Sequence, residues 1–219
     1  MNVRPLLLAL LGGALVACGP LRENDGQSQA FRALRDYATG AARGESAPER
    51  IALSRAMIDQ LPGDVLVVEA YEGTSRVLMV PAMVNLNRVT WISEDNVSII
   101  TENGVVIATR GLPRDLMAAD VIESRRAILQ GGGSAPRIHE LLDDEDSIST
   151  ELLQCSIAPV GSETIKIVEE SVSTRRFTER CDGQAYDFTN TYWVDAGGTI
   201  VRSRQFVSPE TGFLLLERP

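Results

Sequence analysis

The chain predicts a mainly β fold: an antiparallel sheet, closed or nearly closed into a barrel, with one or two helices on its N-terminal side. Three observations carry this. From Val65 onward, about ten segments rich in branched and aromatic residues follow one another at short spacing, broken by Gly, Asn and Pro. Asn103-Gly104 stands between two of them, the dipeptide that most strongly marks a two-residue hairpin turn. No strand–helix–strand rhythm runs through the chain, so a parallel sheet is not expected. Many short strands without that rhythm favour closure, which removes exposed edges.

The N-terminus reads as an address rather than as structure. Arg4, an apolar run from Leu6 to Val16 and the small residue Ala17 have the three-part pattern of a secretory signal over residues 1–17. The run is too short for a membrane span, which needs about 20 residues. Leu15-Val16-Ala17-Cys18 resembles the bacterial lipobox, which makes Cys18 the acylated first residue of the mature chain. Gly19 behind it fits sorting to the outer membrane by the enteric rule. Residues 18–29 form a polar, lipidated tether, and a diacylated cysteine has the two chains that stable anchoring requires.

Residues 30–219 form one β-rich domain. Phe31, Leu34 and Tyr37 suggest a short helix within 28–42. A second is signposted by Ser46 and Glu49 as a capping box, with Pro48 in its first turn and Pro62-Gly63 as its stop. Strands follow at Val65–Tyr71, Arg76–Val84, Val97–Thr101 and Val105–Thr109. The two-residue turn sets Glu102 opposite Val105, Ile100 opposite Ile107 and Ser98 opposite Thr109. Apolar residues on both faces of this hairpin predict burial on both sides. Residues 112–129 read as a strand and then a short helix, and Gly131–Ser134 as a flexible break. The acidic run within 140–146 reads as a solvated loop, since Ca²⁺ loop spacing is missing. Further strands are expected at 147–158, 163–173, 175–181, 186–194, 200–207 and 213–218. Arg175–Arg180 places charges on both faces, which excludes a lipid-facing barrel.

Charge and cysteines bound the chemistry. Lys and Arg number 21 against 30 Asp and Glu, a net charge of −9, so nucleic acid is not an expected partner. Cys155 and Cys181 form an even pair in an oxidising compartment and read as a disulfide. With His139 the single histidine, they do not complete a structural zinc site, so no metal is expected. His139 is expected on a solvated loop, with no G-x-S-x-G around any serine to complete a triad. No glycine-rich cradle opens a helix after a strand, and no cofactor is expected. Glu94, Asp95 and Asp195 lie near Trp91 and Trp193, yet in a chain this acidic such neighbours carry little weight as a glycosidase pair. No catalytic residues are assigned and the chain is read as a non-enzyme. Trp91, Asp95, Trp193 and Arg202 are the candidates for contact with glycan or a partner. Most strand aromatics fill cores, and Trp91 is the one expected at the surface.

Two stretches carry a family resemblance. One runs from Trp91-Ile92-Ser93-Glu94-Asp95 through Thr101–Gly104 and Thr109–Leu112 to Asp115-Leu116. The other is Asn190-Thr191-Tyr192-Trp193-Val194-Asp195 followed by Val201–Gln205. With the lipobox and the ending near Phe213-Leu214, they make the chain similar to the YjbF/GfcB lipoproteins. That resemblance implies a β-barrel-like fold and a place in exopolysaccharide production or group 4 capsule assembly. It also implies secretion proteins of the outer membrane and periplasm as partners, and polysaccharide as a further contact. The expected role is a non-enzymatic accessory protein, lipid-anchored on the periplasmic face of the outer membrane. A carrier enclosing an apolar or lipid-linked ligand and a polysaccharide-modifying enzyme are the alternatives.

Overall fold

The structure is a computed structural model that describes residues 53–70, 75–142 and 147–219. Twelve strands form one antiparallel sheet, nearly closed into a barrel. They are β1 (Leu66–Ala70), β2 (Ser75–Asn85), β3 (Arg88–Ile92), β4 (Ser98–Glu102), β5 (Val105–Arg110) and β6 (Leu116–Asp120), then β7 (Gly133–Leu142), β8 (Ile148–Ile167), β9 (Glu170–Asp182), β10 (Phe188–Val194), β11 (Ile200–Ser208) and β12 (Gly212–Glu217). The expected helix 28–42 and the Ser46–Glu49 box lie outside the described residues. Nearest them is one helical turn, α1 (Arg55–Ile58), capped by the Ser54 hydroxyl, which accepts from Met57 N at 3.3 Å.

The topology is a meander. Each ladder joins strands consecutive in the chain, except that β1 pairs with β12. The row ends at β5 and β6, so the barrel has one seam. Side chains cap the polar backbone edges there. Leu116 N donates to Thr109 Oγ1 at 3.0 Å, and Arg110 donates to the carbonyls of Leu116 and Met117 at 3.2 and 3.3 Å. From across the barrel, the Gln205 amide accepts from Val106 N and donates to Gly104 O, both at 2.9 Å. An open edge would leave these groups to pair with another chain.

Strand alternation fixes two ends. The turns β2–β3, β4–β5, β8–β9 and β10–β11, the β6–β7 connection and the start of β1 share one, here the entry end. The turns β3–β4, β5–β6, β9–β10 and β11–β12 share the other. Helix α2 (Ile122–Gln130) makes the β6–β7 connection and turns Ser124, Ala127 and Ile128 into the core. It stops at Gly131, a left-handed C-cap at φ +93 that a side chain would strain. The Gly131–Ser134 run is therefore a helix cap and the start of β7, not a flexible divider.

Two apolar clusters fill the barrel. One contains Phe177, Phe188, Tyr192, Phe206 and the Cys155–Cys181 disulfide beneath α2; the other contains Trp91, Met79, Leu141, Leu214 and Leu216. Val105 belongs to the first and Val106 to the second, so the hairpin is buried on both sides. Its register departs from expectation. Glu102 faces Val105, but a bulge sets Ile100 opposite Ala108 and Ser98 opposite Arg110. Val160, before Gly161, is likewise the extra residue of a bulge inside the long β8, and the turn falls later, at Val168-Glu169 between paired Ile167 and Glu170. A third cluster, Ile58, Val65 and Val80 with Val168 against it, packs α1 beside the entry end.

Candidate functional site

Three places in the barrel have chemical character: a polar cluster inside, a pocket at the entry end and a row of side chains on the outer wall. The interior cluster follows from alternation. Ala135, Arg137, His139 and Leu141 point inward from β7, as Phe177, Glu179 and Cys181 do from β9. Arg137 Nη1 meets Glu179 Oε2 at 3.0 Å with both side chains at 0 % exposure. The same carboxylate oxygen accepts from Tyr192 Oη at 2.7 Å and Asn190 Nδ2 at 2.8 Å. Burial alone would raise the Glu179 pKa, but the Arg137 charge and these hydrogen bonds outweigh it and hold the group below its ordinary range.

His139 is a correction: it lies on β7 at 0 % exposure, not on a solvated loop. Arg137 Nε, which can only donate, reaches His139 Nε2 at 2.8 Å. That ring nitrogen must therefore be unprotonated, which leaves the proton on Nδ1 facing Tyr186 Oη at 3.4 Å. The ring stacks on Phe188 at 5.3 Å. Burial first, and then the Arg137 charge, push the histidine pKa well below 6.5. Burial likewise raises the Tyr186 hydroxyl to about 12 and lifts Tyr192 further. Cys155, Glu179 and Cys181 converge as a metal set would, but the two sulfurs are bonded to each other. The cluster's charges are spent on one another, tying β7, β9 and β10 together.

The four contact candidates separate. Trp91 is a second correction, being 2 % exposed. It points inward and donates from Nε1 to Thr101 Oγ1 at 3.0 Å, because alternation on β3 sends it into the barrel. With Leu66, Val84, Leu86, Leu216 and Arg218 it lines a pocket of about 300 Å³ at the entry end. The Arg218 guanidinium sits 5.9 Å from its ring and pairs with Asp64 at 3.1 Å. Asp95 is exposed in the β3–β4 turn at the opposite end. Asp195 lies in the β10–β11 turn at the entry end, where its carboxylate accepts from Thr199 N at 2.8 Å. Asp95 and Asp195 therefore do not face each other across a cleft.

Trp193 and Arg202 do come together. They are direct cross-strand partners on the outer wall, with the guanidinium 5.8 Å from the ring centroid. Their register continues the row: Arg176 is opposite Trp193 on β9, and Glu217 is opposite Arg202 on β12. Glu163 accepts from Trp193 Nε1 and pairs with Arg176 at 3.3 Å, while Arg202 Nε donates to Glu217 at 2.7 Å. An indole thus stands half-buried between two guanidinium groups, each held by a carboxylate. Sequence reasoning found Trp193 and Arg202 but missed Arg176, Glu163 and Glu217, which join them only once strand register is known.

Comparison with known proteins agrees with this architecture. A family model described as group 4 capsule polysaccharide lipoprotein GfcB, YjbF, matches residues 28–218. The uncharacterized lipoprotein GfcB of Escherichia coli K12 is 25 % identical over 214 residues, covering 94 % of this chain and 92 % of that protein. The crystal structure of the hypothetical lipoprotein YmcC from Escherichia coli K12 superposes with a TM-score of 0.70 at 22 % identity. That likeness of fold covers 86 % of this chain and 92 % of that one. A match over residues 28–218, on a chain that folds as YmcC does, places the protein in the GfcB/YjbF family of group 4 capsule polysaccharide lipoproteins.

Proposed function

We propose that the protein is a lipid-anchored accessory component of exopolysaccharide or capsule assembly, working on the periplasmic face of the outer membrane. It acts by binding secretion proteins or glycan, not by catalysis, and Cys18 is the acylated residue. The observation that carries this reading is the outer-wall row of Arg176, Trp193 and Arg202. Interior charges are sealed, whereas here an aromatic face and two cations stand in reach of a partner. Aromatic and arginine side chains are the types that dominate binding surfaces, and sugars also lie on aromatic faces.

The test is a photo-crosslinking residue at position 193 in the native envelope, with one at the exposed Leu152 as control. Adducts specific to position 193 support the reading. Normal polymer output from a Trp193→Ala/Arg202→Ala double variant overturns the wall as the contact surface. The entry-end pocket favours a second reading, that of a carrier for an apolar chain. Saturable binding of N-phenyl-1-naphthylamine, lost when Leu216→Trp fills the pocket, supports it, and non-saturable binding dismisses it.

A further inference from the structure

The tip of the β2–β3 hairpin departs from two rules at once. Leu86 opens a two-residue turn at φ +54, a conformation that Gly or Asn ordinarily occupies. Its side chain is 94 % exposed, and the neighbouring Met83 and Val84 are 65 % exposed each. Val168 shows how such a position is otherwise stabilised. At φ +55 in the β8–β9 turn of the same end, it packs against Ile58, Val65 and Val80. Leu86 belongs to none of the three clusters among the described residues. A strained backbone that carries an exposed leucine points to an external contact.

We propose that this tip enters the bilayer leaflet holding the lipid on Cys18, an inference that rests on the anchoring proposed above. Topology selects the occupant: the chain from Cys18 reaches the barrel at the start of β1, at the same end as the tip. Charge agrees. Residues 83–87 read Met-Val-Asn-Leu-Asn, a stretch without charge in a chain of net charge −9, so insertion buries no ion. The nearest cations stand behind the tip and are paired, Arg88 with Glu102 at 2.6 Å and Arg218 with Asp64 at 3.1 Å. Val84 and Leu86 are also the apolar lip of the entry-end pocket, which therefore opens toward acyl chains.

The test uses the acylated mature protein in vesicles of phosphatidylethanolamine and phosphatidylglycerol, with an environment-sensitive fluorophore on Leu86→Cys. The same probe on Asp95→Cys, at the far end, is the control. Lipids bearing a nitroxide on the acyl chain quench the probe at position 86 several-fold more than the one at 95, and Met83→Ser/Val84→Ser lowers that quenching with the near-ultraviolet spectrum unchanged. Equal, weak quenching at both positions in protein that floats with vesicles overturns the tip and leaves the anchor standing. Quenching at 86 in protein that is not acylated overturns the anchor and leaves the tip standing. Neither flotation nor quenching overturns both.

Discussion

Glu179 shows at the scale of one side chain what this barrel needs to stay folded. A carboxylate at 0 % exposure stands there because Arg137, Tyr192 and Asn190 all turn toward it. Removing one member strands the other charge, so Arg137→Met or Glu179→Leu lowers stability by about 3–5 kcal/mol. Replacing both by apolar residues costs less, because no buried charge is left without a partner. Urea unfolding of the three variants checks this, and equal losses in single and double variants would contradict it. His139 adds a pH dependence of definite sign. Its pKa lies well below 6.5 in the folded state, so the unfolded chain takes up a proton that the folded one does not. Stability is fully present above pH 6.5 and falls below it, by up to about 1.4 kcal/mol per pH unit. Glu179, held below 4.5, adds loss of the same sign as pH drops past that value. His139→Gln therefore flattens the fall in urea midpoint between pH 6.5 and 5. An unchanged slope in that variant would show that the histidine is not the group titrating.

Single elements show which features are visible in a sequence. Asn103-Gly104 marks its hairpin because the turn demands those residues, and Glu102 opposite Val105 followed at once. The remainder of that register did not, since the bulge beyond Thr101 depends on how β5 packs between two cores. Val168-Glu169 turns the chain without a turn residue and Leu86-Asn87 opens its turn on a leucine, so the sequence predicts one strand through the first and no β3 beyond the second. Trp91 is misplaced because which face of a strand is inside depends on its neighbours, and His139 because β7 does not stand out as a strand in the sequence. Cys155 and Cys181 sit directly opposite each other on β8 and β9 and close a 26-residue separation. In the chain-entropy model that bond is worth about 3.5 kcal/mol. Cys155→Ala/Cys181→Ala is expected to melt several degrees lower under non-reducing conditions, whereas the wild type reaches the same midpoint only in reductant. A double variant as stable as the oxidised wild type would remove the disulfide from the account.

At the scale of the whole molecule, one meander explains where everything lies. Pairing β1 with β12 brings both termini of the barrel to the entry end, beside the pocket and the β2–β3 tip. The wall with Trp193 and Arg202 faces outward, away from the entry end that the proposal turns to the membrane. Fold class was legible from strand spacing, because that is a local pattern. The wall row was not, because five strands, β8 to β12, contribute to it. The central claim is that this barrel serves polymer assembly from a membrane tether. It is tested most directly by measuring exopolysaccharide output in a deletion strain that carries either the wild-type gene or Cys18→Ser. The account predicts that wild type restores output and that the variant, made at equal level, does not. Full restoration by Cys18→Ser would contradict it.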